Sequence, residues 1–158
     1  MTWSLSTIGT ADRVGKGKES MSIEKNKQLV LRWREELWNK KNVNALDEMC
    51  APDYVGHIAG FPELVRGREA CKRMFSAWLA SFDIRVTPEF LFAEGDLVAV
   101  RDSIWAKSVA EFQGIPPTGR EGTLTSTDLY RIANGQVTEQ WFEADYTRFQ
   151  QQLLVHPG

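Results

Sequence analysis

The hydrophobic period of this chain changes once, and the change divides it into a helical half and a stranded half. Between residues 22 and 82, apolar side chains recur at three- and four-residue intervals, the signature of helices with one buried stripe. Ser22 can act as an N-cap, and Leu29, Val30, Trp33, Leu37 and Trp38 predict a first helix to about Trp38, ended by Asn39-Lys40-Lys41-Asn42. Leu46, Met49 and Cys50 share one face of a short second helix. Ala51-Pro52 stops it, because the residue before a proline is pushed out of the helical region. The stretch from Tyr54 to Leu64 reads as a loop containing His57, Gly60, Phe61 and Pro62. Gly67 then opens a third helix, with Ala70, Met74, Phe75, Trp78, Leu79 and Phe82 as a broad apolar stripe.

From residue 83 the period becomes two. Ile84 and Val86 alternate with Arg85 and Thr87, and the strands 90–93 and 97–107 flank Glu94-Gly95-Asp96, a hairpin signal. The loop 113–119, with Pro116 and Pro117, leads into strands 122–132 and 136–144. These meet at Ala133-Asn134-Gly135, where Asn-Gly suits a type I′ turn. Phe149, Leu153 and Leu154 suggest a short final helix. Helices followed by antiparallel hairpins predict an α+β domain, a curved sheet with helices on one face and a pocket between them.

Composition narrows the picture. With 158 residues, 42% hydrophobic and 25% charged, the chain suits one ordinary globular domain. A net charge of −2 offers no electrostatic case for nucleic acid or an anionic membrane as partner. Cys50 and Cys71 read as small buried hydrophobes, and with only His57 and His156 they form no metal-ligand spacing. No apolar run approaches the roughly 18 residues of a membrane span, so the cytoplasm is the expected location. Residues 1–20 carry no period and no apolar core of a signal peptide. Met21 reads as a second start, so a flexible extension is expected before a domain at 21–158. Through Trp3, Leu5 and Ile8 it could also be an arm on a partner subunit.

Candidate chemistry centres on carboxylates in strands. Asp128 lies mid-strand between Leu124 and Arg131, where aspartate is disfavoured. Facing an apolar cavity, it would have its proton affinity raised toward acid/base use; facing outward, it would be a surface partner of a Lys or Arg. Asp102 shares parity with Val98, Val100 and Ile104 and so points inward, unless a bulge flips it toward Arg101. Two inward carboxylates would take different roles. His57 can be a general base or a solvated loop side chain, and Asp145 can be an acid or the N-cap of the last helix. Trp141, Trp105, Tyr130, Phe61 and Phe112 suit either the walls of a pocket for a flat apolar ligand or plain core.

The motifs Leu37-Trp38-Asn39-Lys40, Ala51-Pro52-Asp53-Tyr54-Val55-Gly56-His57, Arg66-Gly67-Arg68-Glu69, Glu111-Phe112-Gln113-Gly114-Ile115-Pro116-Pro117-Thr118-Gly119, Thr127-Asp128-Leu129-Tyr130-Arg131 and Gly135-Gln136-Val137-Thr138-Glu139-Gln140-Trp141 occur in that order. From Asn26 to about Leu153 the chain resembles the SnoaL-like polyketide cyclases of the nuclear transport factor 2-like superfamily. The resemblance implies a cone-shaped α+β fold, a cofactor-free cyclase, isomerase or lyase acting on a small apolar carbonyl compound, and Asp128 as its acid/base. Asp102, His57 and Ser108 would be polar neighbours, and Tyr130, Trp141, Trp105, Phe61 and Tyr54 substrate contacts. It further implies a homodimer paired through the convex sheet face. The chain departs from the family where a Gln-x-His pair toward the pocket falls on Ala106 and Ser108, and where Asp102 replaces a large apolar residue. A second acid suits epoxide hydrolysis of the limonene epoxide hydrolase type, with Asp102 and either Asp128 or Asp145. Those enzymes carry an arginine two positions before the first aspartate, whereas Arg101 is adjacent to Asp102. A non-catalytic ligand-binding or dimerisation module is the third reading.

Overall fold

A computed structural model describes residues 16–154. Helix α1 (Lys16–Arg32) begins before Ser22, which lies inside it, so residues 16–20 are helical and the rest of the expected extension lies outside the described residues. The same rod continues as a π-helical segment (Trp33–Asn39), in which Trp33, Arg34, Leu37 and Trp38 are all buried. After a 3₁₀ turn (Val43–Ala45), α2 is only Leu46–Met49.

The expected loop after it is largely strand. β1 (Cys50–Ile58) contains Cys50 and His57, and β2 (Val65–Arg66) pairs with it antiparallel. The sequence hides β1 because it alternates weakly, with Pro52, Asp53 and Gly56 inside it, and because its partner lies far along the chain. It pairs in parallel with β6 (Gln136–Ala144), His57 beside Trp141. Gly67 then precedes α3 (Arg68–Ser81), and its φ of 84° explains why glycine stands there.

The hairpins fall where the alternation places them. β3 (Phe82–Glu94) and β4 (Leu97–Ser108) turn at Gly95-Asp96, and β5 (Glu121–Ala133) and β6 turn at Asn134-Gly135. Both turn residues of the second hairpin have positive φ, 51° and 73°, the type I′ geometry. The sheet order is β2-β1-β6-β5-β4-β3, with a bulge between Pro88 and Phe90 that bends β3 where proline cannot donate to the ladder. The sheet curves without closing, and the helices cover its concave face.

An aromatic core joins the layers. Phe75 of α3 meets Trp33 at 5.8 Å and Trp38 at 4.9 Å edge-on, and Trp38 stacks on Trp78 at 5.6 Å. Helix α4 (Tyr146–Leu154) closes the other end of the cone with Phe149 and Leu153 inward. The Gln152 amide holds it to β5, accepting from the Thr123 N–H at 2.8 Å and donating to the Thr123 carbonyl at 2.7 Å. Gly122 leaves room for this: a methyl there would come within 3.1 Å of Phe149 and Gln152. Cys50 and Cys71 are buried free thiols, as their apolar surroundings predict. Among the described residues, no helix is long and apolar enough to cross a membrane.

Candidate active site

Strand alternation brings two carboxylates to the concave face. Along β4, Val98, Val100, Asp102, Ile104 and Ala106 point inward, and along β5, Gly122, Leu124, Ser126, Asp128 and Tyr130 do so. Asp102 sits opposite Ser126, and Asp128 is flanked by Val100 on one side and Phe142 on the other. Both acids are 2% exposed or less.

They converge on Arg34, which the sequence reading missed. Its Nη2 donates to Asp102 Oδ2 at 2.7 Å and to Asp128 Oδ2 at 3.1 Å. Its Nε reaches both Asp102 oxygens at 3.1 and 3.4 Å, and its Nη1 donates to Tyr130 Oη at 2.6 Å. A signal was present: Arg34 stands four residues after Val30 and four before Trp38, inside the apolar stripe of the first helix. A charge at a core position needs a buried counter-charge, and among the described residues the buried acids are Asp102 and Asp128, both in the sheet.

Around Asp128 the hydrogen bonding is complete. Gln140 Nε2 donates to Oδ1 at 2.7 Å, the Tyr130 hydroxyl to Oδ1 at 3.1 Å and the Ser126 hydroxyl to Oδ2 at 3.3 Å. Tyr54 orients Gln140 by donating to its Oε1 at 2.8 Å. That reach depends on Gly56, where a Cβ would stand 2.6 Å from the Tyr54 oxygen. Burial raises the proton affinity of Asp128, opposed by the Arg34 charge and the Gln140 hydrogen bond and assisted by the Asp102 charge. Burial likewise pushes the phenols of Tyr54 and Tyr130 well above their ordinary range. For Arg34 burial acts the other way, yet Tyr130 and the two carboxylates hold its proton more tightly than usual.

Next to this polar cluster lies an apolar cavity of about 110 Å³. Trp38, Trp78, Ile104, Leu124 and Phe142 line it, while Phe112, Ile115, Thr118 and α4 close its outer end. Neither acid lines the cavity: beyond the lining pair Ile104–Leu124 the next inward pair is Asp102–Ser126 and the one after it Val100–Asp128, although Asp128 is also the cross-strand partner of Phe142, which does line it. Two polar atoms in its wall, Trp78 Nε1 and Tyr146 Oη, are buried without a hydrogen-bond partner. The charges of Asp128 and Glu143 add to burial in raising the Tyr146 phenol.

The other expected contacts divide. Ser108 lines the cavity, its Oγ accepting from the Thr118 N–H at 3.2 Å, and so does Phe112. Tyr130 and Tyr54 belong to the polar cluster behind it, and Phe61 packs on the outer side of Trp78 at 6.2 Å without lining the cavity. Trp105, Trp141 and His57 are not brought to the site. Each has the outward parity of its strand, because strict alternation sends neighbours of inward residues to the convex face. There Arg85 lies over Trp105, and His57 stacks on Trp141 at 5.2 Å with its Nε2 2.9 Å from Glu139. Asp145 caps α4, accepting from the Arg148 N–H at 3.1 Å. Arg101 also faces outward, 3.5 Å from Glu89. Among the described residues, no three His, Cys, Asp or Glu side chains group as a metal site.

The chain and its fold have relatives among known proteins. The family model described as SnoaL-like polyketide cyclase matches residues 28–153. The chain belongs to the SnoaL-like polyketide cyclase family. IdmH from Streptomyces antibioticus, a candidate polyketide cyclase, is 30% identical with a TM-score of 0.70, over 82% of this chain and 99% of that one. A candidate SnoaL-like polyketide cyclase of Jannaschia sp. CCS1 shares the fold at 23% identity and a TM-score of 0.78, over 85% of this chain and 94% of that one. An epoxide hydrolase from M. tuberculosis, similar to limonene epoxide hydrolase, shares the fold at 14% identity and a TM-score of 0.68, over 84% and 92%. No curated protein matches the chain.

Proposed function

We propose that this SnoaL-like protein is an aldol-type cyclase, isomerase or lyase for a small, flat, apolar carbonyl compound, with Asp128 as acid/base. The observation that carries this reading is an inward, buried carboxylate of raised proton affinity whose cross-strand partner, Phe142, lines an aromatic-walled cavity. A ligand in the cavity lies against Phe142, the cross-strand neighbour of Asp128. Asp128 takes the proton from the carbon beside the carbonyl, and the electron pair moves onto the carbonyl oxygen as an enolate. In a cyclase the enolate carbon then bonds to a second carbonyl of the same molecule, and the alkoxide so formed takes the proton back from Asp128. The Tyr146 hydroxyl and the Trp78 N–H, buried without a partner on residues that line the cavity, are the candidate donors to an enolate oxygen.

Proton abstraction can be tested before the product is known. Aromatic and alicyclic ketones with an acidic α-hydrogen are incubated with the protein in D2O, and α-deuterium uptake is read by mass spectrometry. Binding is followed separately by quenching of Trp38 and Trp78 fluorescence. Asp128→Asn is expected to keep binding and lose exchange; exchange that survives this substitution removes Asp128 from the chemistry, and binding without exchange in the parent protein supports the non-catalytic module.

Epoxide hydrolysis is kept as a second reading because Asp102 and Asp128 converge on one guanidinium. Incorporation of ¹⁸O from labelled water into a diol formed from a cyclic terpene epoxide would distinguish it. Homodimerisation through the convex face belongs to the same proposal, supported by Phe90 and Phe92, which stand 57% and 68% exposed beside the outward Arg101 and Ala99.

A further inference from the structure

Arg34, Asp102 and Asp128 place two carboxylates around one cation, with every member at most 2% exposed. Fully ionised, the cluster would carry a net negative charge into the interior, which is costly without further compensation. One proton makes it neutral, and the hydrogen-bond geometry says where that proton can reside. The contacts of Asp102 within the cluster are all guanidinium N–H groups, from Nε and Nη2. Guanidinium nitrogens donate and never accept, so they offer no acceptor to a protonated Asp102. Asp128 is held by Arg34 through a single contact, and its neighbours include two hydroxyls, which can donate or accept. Tyr130 Oη already accepts from Arg34 at 2.6 Å and from Gln140 at 3.1 Å, which fills its lone pairs. Ser126 Oγ, 3.3 Å from Asp128 Oδ2, is left as the acceptor, its hydroxyl turning from donor to acceptor when Oδ2 gains a hydrogen.

We propose that Arg34 and Asp102 are positioning residues, a standing ion pair that anchors Asp128 while leaving its Oδ2 as the point at which the cluster gains and loses a proton. The inference rests on the acid/base reading of Asp128 and deepens it: it says how a carboxyl with four side-chain contacts remains exchangeable. The groups facing Asp128 are Arg34 from the first helix, Asp102 from β4, Ser126 and Tyr130 from its own strand and Gln140 from β6. Tyr146 from α4 also feels its charge. Among these only Arg34 is cationic. Without Asp102, its whole charge would fall on Asp128 and hold the carboxyl ionised to lower pH.

The test is a ¹³C-carboxyl NMR titration of uniformly labelled protein, with aspartate carboxyls assigned by through-bond correlation. The expected result is that Asp128 titrates above the ordinary aspartate range, and that Asp102→Asn lowers its midpoint by about one to three pH units, the effect of an unshared opposite charge at this range. Titration of Asp102 in place of Asp128, or an unmoved Asp128 midpoint in Asp102→Asn, overturns the proposal. If Asp102→Asn does not fold, the assigned titration of the parent protein decides which carboxyl carries the proton. The α-deuterium exchange measurement is independent: a titrating Asp128 without exchange sinks the acid/base reading and leaves this one standing, whereas a shared role predicts that the pH profile of exchange follows the NMR midpoint.

Discussion

Replacing Arg34 by methionine separates the charge of the cluster from its volume. The side chain is of similar length and apolar, but it leaves Asp102 and Asp128 buried without their cation and Tyr130 Oη without its shortest donor. Breaking a buried pair by removing one partner costs about 3–5 kcal/mol, because the remaining charge is uncompensated. That is a large fraction of the roughly 5–15 kcal/mol that holds a domain folded. With a urea slope of about 2 kcal/mol per molar for a domain of this size, the midpoint should fall by about 2 M at pH 7. The pH dependence has a definite sign. Asp128 has a raised proton affinity in the folded state, so its contribution to stability is fully present below its unfolded pKa and is lost as pH rises through the folded value. Without Arg34 the folded value moves up further, so the loss should shrink from pH 7 to pH 5. The assay is urea unfolding by tryptophan fluorescence at both values, with Arg34→Met/Asp102→Leu alongside. The double variant removes one charge of each sign and should recover much of the loss. A midpoint unchanged in Arg34→Met, or a loss greater at pH 5 than at pH 7, would refute the buried-cluster account.

Three further outcomes follow from other parts of the molecule. Ala106→Phe adds a ring at a cavity-lining position only 3% exposed; it should abolish fluorescence enhancement of 8-anilinonaphthalene-1-sulfonate while near-ultraviolet circular dichroism is kept. Gly56→Ala drives a methyl into the Tyr54 hydroxyl and so loosens Gln140; it should destabilise by about 1–3 kcal/mol in chemical denaturation and lower α-deuterium exchange, while His57→Ala on the opposite sheet face should leave exchange and probe binding unchanged. Gln152→Ala removes both bonds that clamp α4 to Thr123, with an expected cost of about 1 kcal/mol and faster hydrogen exchange at the Thr123 amide.

Much of the architecture could be read from the chain because it rests on local periodicity. The alternation of β3 to β6, the Asn134-Gly135 turn, Gly67 before α3 and the apolar stripe of α3 all follow from spacing alone, and the motif order leads to the SnoaL-like family. The same parity grouped Asp128 with Ser126 and Tyr130 and Asp102 with Val98, Val100 and Ile104, but left open whether the face of Asp128 was the inner one. β1 was not, because a strand paired in parallel with a segment some eighty residues later carries little of its evidence locally. Arg34 shows the limit more sharply. Its place in an apolar stripe marks it as buried, but nothing near it in sequence says what neutralises it; its partners are 68 and 94 residues away, brought together by helix-on-sheet packing. Trp105, Trp141 and His57 illustrate the converse: residue type suggested pocket walls, and strand parity together with the curvature of the sheet put them outside. The sequence by itself determined which residues share a face. Only the tertiary structure decided which face encloses the cavity and which charges meet behind it, because the energy of a buried charge depends on neighbours that folding alone assembles.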